Sequence, residues 1–312
     1  MKVSVPGNIL LLGEYAVLEE GGLGAAFAVE RRVHLQAEPA RSLSIEGVWP
    51  GGSFRWTPRN ESASPLSSAV FKAVQGWLQS RGRQRRAPAL RIRIDSSELF
   101  SAEGRKAGFG SSAAVAVALV AALRADGRLD AVTPRLALAG HRAAQGGAGS
   151  GYDVYCSYYG GWGMFRGGAR PSWEQREPAT EARLHLFSGP APVSTRNAIQ
   201  SFYQWKSREG GLTRRLVEQS NGNVKSFLAA RSAREAAAAF RKARETGIAL
   251  GDAIGVEARI QAPVGVDPDM CKSLGAGNEL GVYLQLPGSP APPAESGLID
   301  VGKAACGIKW TP

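Results

Sequence analysis

Residues 106–115 read KAGFGSSAAV and run directly into AVALVAAL, an apolar stretch that ends at Arg124. Two glycines and two serines ahead of such a stretch predict a turn followed by an N-capped helix. The same arrangement also suits an anion, because a helix N-terminus offers unpaired N–H groups and the positive end of the helix dipole. Lys106 adds a positive charge that a helix cap does not require. On these residues alone, a structural turn and a phosphate-binding loop are both open.

The composition is that of a soluble globular protein, with 44% hydrophobic and 21% charged residues in a chain of 312. This length suits one large or two medium domains. Lys and Arg total 38 against 27 Asp and Glu, and the net charge of +11 favours anionic partners. The densest basic run, Arg81–Arg93, has no interleaved aromatics and no zinc-finger or basic-zipper pattern. We therefore expect a solvated turn there and no nucleic-acid partner.

The cysteines and the apolar stretches indicate a cytoplasmic protein that does not bind a membrane. Three cysteines lie far apart with no CxxC or Cys/His spacing, which indicates a reducing compartment and argues against zinc: Cys156, Cys271 and Cys306. Pro6, Gly7 and Glu14 interrupt the N-terminal apolar stretch, so it does not resemble a signal peptide. The longest apolar run, Ala113–Leu123, is well short of the roughly 20 residues that span a bilayer.

Periodicity and turn residues predict a mixed chain of strands and helices. Strands are expected at 2–5, 9–12, 33–37, 90–94, 184–187 and 281–286, with a turn at Pro6 and Gly7. Helix starts are expected at Ser64-Pro65, Thr133-Pro134 and the capping box Ser232-Ala-Arg-Glu235. The first of these helices should end at Gly82, and the second should run to about Ala144. A linker is expected at 166–182, which is rich in Gly, Pro and Glu, so the chain reads as a two-domain α+β protein.

Two further glycine-rich segments lie far from the first. Residues 145–154 read QGGAGSGYDV, where Asp153 suits either a simple turn or an acid placed at a site. Residues 272–281 read KSLGAGNELG and suggest a glycine hinge between elements. No GxxxxGK[ST] pattern and no GxGxxG after a strand is present, so the two commonest nucleotide signatures are absent.

Taken in order, these segments resemble the three motifs of the GHMP kinases. The first motif is PGNILLLGEY at 6–15, the second is GFGSSAA at 108–114, and the third is GAG at 275–277. The resemblance implies an α+β fold of two domains. A left-handed βαβ ATP-binding domain is expected at 1–165, and a ferredoxin-like C-terminal domain is expected at 166–312.

Within the superfamily, the phosphomevalonate kinase branch is the most similar. The likeness rests on GEYAVLEEG at 13–21, Lys106, GSGYDV at 149–154 and SGPAPVSTR at 188–196. It implies transfer of the ATP γ-phosphoryl group to mevalonate 5-phosphate, a step of isoprenoid precursor synthesis, with ATP and Mg²⁺ as cofactors. The partners implied are ATP and a phosphorylated hydroxy acid.

The resemblance also implies roles for individual residues. The catalytic residues would be Asp153, Lys106 and Asn8. The nucleotide-binding residues would be Gly108, Gly110, Ser111, Ser112 and Ala113, with Ser112 near the metal ion. The substrate-binding residues would be Tyr15, Ser150, Gly151, Thr195 and Arg196. The third glycine motif would be Gly275, Ala276 and Gly277.

Two positions depart from the family pattern. Asn8 stands where the nearest relatives usually carry Lys, and Glu279 stands where the family prefers small residues. Loss of one preorganised charge at a site of transfer costs on the order of 3 kcal/mol. Two functions therefore remain. One is an active kinase on phosphomevalonate, with mevalonate or another small hydroxylated acid as the runner-up. The other is a kinase-fold nucleotide- or metabolite-binding protein without turnover.

Overall fold

The computed structural model describes residues 1–82, 86–101, 103–104, 106–124, 126–147, 149–190 and 193–312. The chain divides into two compact units, and neither is continuous in sequence. Unit 1 contains Met1–Ile9, Ala28–Gly161 and Lys303–Pro312, and unit 2 contains Leu10–Phe27 and Trp162–Gly302. The division at 165 and 166 into an ATP-binding and a C-terminal domain stays a prediction. Part of the predicted basic turn, residues 83–85, lies outside the described residues.

The described residues form twelve strands and seven α-helices. The strands are β1 Lys2–Leu12, β2 Leu23–Pro39, β3 Ser44–Trp49, β4 Gly52–Trp56, β5 Leu90–Asp95, β6 Trp162–Arg166, β7 Ser172–Gln175, β8 Arg183–Ser188, β9 Cys271–Ser273, β10 Leu280–Gln285, β11 Ile299–Asp300 and β12 Lys309–Thr311. The helices are α1 Pro65–Ser80, α2 Ser111–Arg124, α3 Val132–Ala144, α4 Tyr152–Tyr159, α5 Thr195–Arg208, α6 Gly210–Ala229 and α7 Ala233–Ile254. No helix in these described ranges is long and apolar enough to cross a bilayer.

Unit 1 is a twisted sheet with four helices. Its strands lie in the order β12-β1-β2-β5-β3-β4. β2 pairs antiparallel with β5, whereas β3 pairs parallel with β5 after a connection through β4 and α1. Helix α2 contacts α1, α3 and α4. Because Ala113–Ala114 and Ala116–Arg124 are all buried, the apolar stretch of the sequence is a core helix of this unit.

The predicted turn at Pro6 and Gly7 is wrong, because β1 continues through both residues. Asn8 N–H donates to the carbonyl of Phe109 at 3.0 Å, so this strand passes directly along the second motif. A Cβ on Gly7 would lie 2.7 Å from the same Phe109 oxygen. The glycine therefore permits a close backbone approach rather than a change of chain direction.

Unit 2 contains β6 and β7, a second sheet and three helices. β6 pairs with residues 23–27 of β2 and with β7, and the second sheet has the antiparallel order β11-β8-β10-β9. The linker predicted at 166–182 is wrong for Ser172–Gln175, which form β7. Gly163 on β6 lies beneath the ring of Trp173, and this contact anchors a stretch whose composition resembles a loop.

The predicted helix starts are confirmed at α1 and α7 and corrected at α3. Ser64 accepts from Ser67 N–H, and Ser232 accepts from Glu235 N–H. At α3, the Val132 N–H donates to the Asp130 carboxylate at 2.9 Å, so Asp130 rather than Thr133 is the acceptor at the start of the helix. Thr133 is buried in the first turn and accepts from Arg124 instead.

Candidate nucleotide and acceptor sites

The second motif forms a glycine loop that ends at the first turn of α2. Gly108 and Gly110 have φ of +79° and +64°, values that favour glycine over residues with a side chain. The N–H groups of Ala113 and Ala114 make the first bonds of the helix, both to the Gly110 carbonyl. The N–H groups ahead of these two lie at the open end of the helix, where an anion is stabilised.

Asn8 packs against this loop from the first motif. It is 1% exposed, and its Nδ2 donates to the Ser157 hydroxyl at 2.9 Å. A Cβ on Gly110 would lie 2.2 Å from that same Nδ2 atom. The other amide atom, Oδ1, is buried with no hydrogen-bond partner among the described residues. The structure therefore brings together Asn8 and Gly110, which the sequence assigned to the same site.

Asp153 is the second residue of α4, a helix that begins directly after Gly151, which has φ of +92°. Its Oδ1 accepts from the Val154 N–H at 2.9 Å, and its Oδ2 lies 3.8 Å from His141 Nδ1. Ser157 is one helical turn further on, so Asp153 and the partner of Asn8 share one face of α4. Asn8 thus reaches this helix through a neutral hydrogen bond to Ser157, where a lysine would bring a charge.

Sequence reasoning missed His141, which is buried at the end of α3. Its Nε2 lies 2.9 Å from the Ser112 hydroxyl and 3.1 Å from Gln145 Nε2. No motif marks this histidine, and the only signal was its position four residues before a glycine-rich segment. Ser157 was missed too, although its spacing of four residues from Asp153 on a helix was readable.

The GSG loop ahead of Asp153 is held by α3. Arg142 donates to the carbonyls of Gly149 and Ser150, at 2.9 and 2.8 Å. A Cβ on Gly151 would lie 2.3 Å from a methyl carbon of Leu138, so the loop packs closely on this helix. Ser150, predicted to bind substrate, is 7% exposed, and its hydroxyl accepts from the Tyr152 N–H at 3.4 Å.

Lys106 is exposed in unit 1, whereas Tyr15, Thr195, Arg196 and the third glycine motif lie in unit 2. Tyr15 ends the first motif with φ of +58°, and its hydroxyl donates to the Ala276 carbonyl of the third motif at 2.5 Å. Its ring stacks on Phe202, with 5.4 Å between centroids. Burial, together with the nearby Glu14 charge, raises the pKa of Tyr15. This hydroxyl therefore stays protonated and donates to the third motif, a contact that the sequence did not predict.

A buried ion pair links the same two motifs. The Lys272 ammonium bonds to the Glu14 carboxylate and to the carbonyls of Leu11 and Ser273, at 3.0 and 2.7 Å. Lys272 lies on β9, which pairs with β10, so the hinge predicted at 272–281 is wrong at its first residues. A pocket of unit 2 is lined by both motifs and by α7: Glu14, Tyr15, Arg244, Gly247, Leu250, Gly251, Val256, Ala258, Lys272, Ser273, Gly275, Ala276 and Gly277.

Glu279, the departure in the third motif, bonds to the segment that precedes α5. Its carboxylate accepts from the Val193 N–H at 3.1 Å. Helix α5 begins at Thr195, with the Ser194 hydroxyl accepting from the Asn197 N–H. Thr195 and Arg196 are both exposed in its first turn. Arg196 and Thr195 thus offer a positive charge and a hydroxyl at a helix N-terminus, the end of a helix that favours an anion.

The donor groups in unit 1 suit a Mg²⁺ ion that arrives with a nucleotide better than a metal ion held by protein side chains alone. No cluster of three or more His, Cys, Asp and Glu side chains suited to a metal ion occurs within the described residues. Mg²⁺ usually keeps several waters and uses one or two protein ligands together with substrate phosphates. The Ser112 hydroxyl at the start of α2 is a donor of this kind, and it fits an ion that arrives with a nucleotide.

Comparison with known proteins gives a family match for part of the chain. A family model described as GHMP kinases N terminal domain matches residues 68–161. Residues 68–161 are therefore similar to the N-terminal domain of the GHMP kinases. The matched residues include the glycine loop of Gly108 and Gly110, His141 in the last turn of α3, and Asp153 in the first turn of α4. All of them lie in unit 1.

Two phosphomevalonate kinases are similar to this chain in sequence. That of Streptomyces sp. (strain CL190) is 31% identical over 178 residues, covering 50% of this chain and 47% of that protein. That of Saccharolobus solfataricus is 30% identical over 227 residues, covering 71% of this chain and 63% of that protein. The chain thus spans between about half and just under two thirds of the length of these curated relatives.

A solved structure extends the likeness to nearly the whole chain. The Streptococcus pneumoniae phosphomevalonate kinase, solved in complex with phosphomevalonate and AMPPNP, matches with a TM-score of 0.74 at 18% identity. The match covers 95% of this chain and 93% of that chain. The predicted GHMP kinase resemblance and its mixed α and β fold are confirmed, while the roles of single residues stay predictions.

Proposed function

We propose that this protein is an ATP-dependent kinase that converts mevalonate 5-phosphate to mevalonate 5-diphosphate. The observation that carries the proposal is the close contact between Asn8 and Gly110 in unit 1. It packs the glycine loop at the start of α2 against the strand of the first motif, beside the helix that bears Asp153. The phosphomevalonate kinases at 30% and 31% identity support this choice of acceptor.

The proposed reaction moves one phosphoryl group. An oxygen of the acceptor phosphate forms a bond to the γ-phosphorus of ATP. The bond from that phosphorus to the oxygen bridging to the β-phosphate breaks, and its electron pair leaves with ADP. The acceptor is already anionic near neutral pH, so it needs no strong general base, and Asp153 orients the acceptor rather than deprotonating it.

The chain's own residues bind and orient both anions. The first N–H groups of α2 bind the nucleotide phosphates, and the exposed Lys106 neutralises part of their charge. Arg196 binds the phosphate or carboxylate of the acceptor, with Thr195 beside it as a hydroxyl donor. Bound Mg²⁺ supplies further neutralisation of phosphate charge. Ser112 is the residue that would hold it.

A second function, nucleotide or metabolite binding without turnover, is favoured by one observation. Asn8 is neutral and engaged with Ser157, so the first motif brings no cation to the Asp153 helix. A missing charge of this kind lowers the rate far more than the affinity for ATP.

Incubation of the pure protein with ATP, Mg²⁺ and a panel of small hydroxylated acids tests both functions. We expect ADP release with mevalonate 5-phosphate at a much higher kcat/KM than with mevalonate. Equal or greater use of mevalonate would contradict the proposed acceptor. ATP binding by calorimetry, without transfer to any acid, would replace the kinase with the binding protein.

A further inference from the structure

The last turn of α3 contacts both the start of α2 and the glycine loop ahead of α4 through two consecutive residues. His141 faces the start of α2 at Ser112, and Arg142 faces the loop that leads into α4. Consecutive residues of a helix point about 100° apart, so one turn serves two separate neighbours. The family comparison assigns no role to either side chain.

His141 is placed to fix the direction of the Ser112 hydroxyl. The ring is 3% exposed, and its Nε2 lies 2.9 Å from Ser112 Oγ. When the ring carries its proton on Nδ1, the lone pair of Nε2 accepts the hydroxyl hydrogen at the shorter distance, with the Gln145 amide N–H as a second donor at 3.1 Å. Both lone pairs of Ser112 Oγ then turn away from the ring. In that tautomer the Nδ1–H points toward Asp153 Oδ2, 3.8 Å away. The hydroxyl is then oriented to accept a cation or a donor of the nucleotide complex.

Arg142 is placed to fix the loop that precedes Asp153. Four glycines of this segment have positive φ: Gly146 at +76°, Gly147 at +87°, Gly149 at +107° and Gly151 at +92°. Such a loop has high conformational entropy when it is free. The guanidinium donates to two successive carbonyls, those of Gly149 and Ser150, and so holds the loop at the residues just ahead of α4.

We propose that His141 and Arg142 are positioning residues for the two sides of phosphoryl transfer. His141 orients Ser112 and acts on the affinity for the nucleotide, whereas Arg142 orients Asp153 and acts on the turnover of the acceptor. The inference rests on the proposed kinase function.

The His141 arm is tested by two substitutions that keep different ring atoms. The His141→Gln amide lies near the former Nε2 and keeps a partner for Ser112, whereas the His141→Asn amide lies near the former Nδ1 and loses that partner. We expect His141→Asn to weaken binding of the magnesium complex of AMPPNP about tenfold, as loss of one buried hydrogen bond does. His141→Gln should recover most of that affinity. Calorimetry gives both values without any turnover.

The Arg142 arm has a matched control on the same helix. Arg142→Met removes both carbonyl bonds, while Arg135→Met removes an exposed guanidinium that donates to the Ala131 carbonyl one turn earlier. We expect Arg142→Met to lower kcat at least about tenfold, because a misplaced catalytic group loses rate rather than affinity. Its affinity for AMPPNP should stay within about twofold of Arg135→Met.

Hydrogen exchange provides a second readout for Arg142 that needs no turnover. The amides of residues 149–153 should exchange faster in Arg142→Met than in Arg135→Met, while those of α2 stay unchanged. Circular dichroism of each variant shows whether it is folded.

These measurements distinguish a failure of the proposed kinase function from a failure of the proposed positioning roles. A wild-type protein without phosphoryl transfer contradicts the proposed function, while the order of the His141 affinities and the exchange at 149–153 still decide the positioning roles. Equal affinities for His141→Asn and His141→Gln would overturn the role of His141. Unchanged exchange and kcat in Arg142→Met would overturn the role of Arg142.

Discussion

The side-chain amide of Asn8 and the hydroxyl of Ser157 form a hydrogen bond of 2.9 Å with both residues buried. The bond joins the first motif to the helix of Asp153 across 149 residues of sequence. It makes Asn8 a structural contact of unit 1 and not simply a missing lysine.

Removal of either partner should therefore destabilise the protein. We expect Asn8→Ala and Ser157→Ala each to lower the free energy of unfolding by about 1–3 kcal/mol, because each leaves a buried polar group unpaired. The double variant should lose less than the sum of the two single losses. Urea denaturation of the four proteins measures this coupling. Additive losses would mean that the two side chains do not depend on each other.

Gly110 should be intolerant of any side chain. Gly110→Ala adds a methyl group where φ is +64° and where Asn8 Nδ2 lies 2.2 Å away. Gly146→Ala is the control, because its φ of +76° gives similar strain with nothing within 4 Å of the new carbon. Each should pay about 1 kcal/mol of backbone strain. Only Gly110→Ala should lose further stability and ATP affinity, as measured by denaturation and calorimetry. Equal behaviour would refute the packing role of Gly110.

Lys106 is the cation that the proposed mechanism needs most, because Asn8 brings none. Lys106→Ala should lower kcat by at least about a hundredfold, which corresponds to about 2.7 kcal/mol of barrier. The protein should keep its wild-type stability, since Lys106 is exposed. Lys72→Ala, which removes an exposed lysine paired with Glu61, is the control for the loss of one charge. A comparable kcat for the two variants would exclude Lys106 from the transfer step.

The Glu14–Lys272 pair should matter far more than ion pairs on the surface. Its side chains are 12% and 3% exposed, against 46% and 63% for Glu61 and Lys72. We expect Glu14→Gln to cost about 3–5 kcal/mol, because it leaves a buried ammonium without its counter-charge. Glu61→Gln should cost about 0–1 kcal/mol. Chemical denaturation compares the two. A cost near that of Glu61→Gln would show that the lysine is solvated in solution.

Acid should weaken unit 1 through Asp130. Hydrogen bonds from Arg124 lower the pKa of Asp130 to about 2, from an ordinary value near 3.8. A lowered folded pKa gives stability that is present above about pH 4 and is lost as the pH falls toward 2. Asp130→Asn should therefore lower the Tm at pH 7 and show a smaller drop between pH 5 and pH 2.5 than wild type. Asp252→Asn is the control, because both partners of the Asp252–Arg259 pair are exposed. It should change the Tm and its pH dependence less than Asp130→Asn does.

The sequence correctly predicted helix starts that depend on residues only a few positions apart. The α2 start followed from its glycine and serine residues, and the caps at Ser64 and Ser232 followed from side chains within three residues of their partners. The turn at Pro6 and Gly7 failed because a tertiary approach to Phe109 overrides turn propensity there. Propensity is a weak prior when a distant backbone packs against the segment.

The sequence predicted the motif residues of the site but not the side chains that contact and position them. His141 lies 29 residues from Ser112 and 12 from Asp153, and no spacing rule joins it to either. Lys272 meets Glu14 across 258 residues, so only the folded chain reveals the pair. These partners are set by sheet register and helix packing, which a single sequence does not encode in any short pattern.

The contacts that join the first and third motifs have a consequence for synthesis of the chain. Tyr15 bonds to a carbonyl 261 residues later, and Glu14 bonds to a lysine 258 residues later. At about 5–20 residues per second, a ribosome needs on the order of 10 to 50 s to make that interval. Throughout it, the acidic and aromatic end of the first motif is without its native partners. Unit 2 therefore completes its fold late, and this early segment is a part of the nascent protein that a chaperone has long to hold.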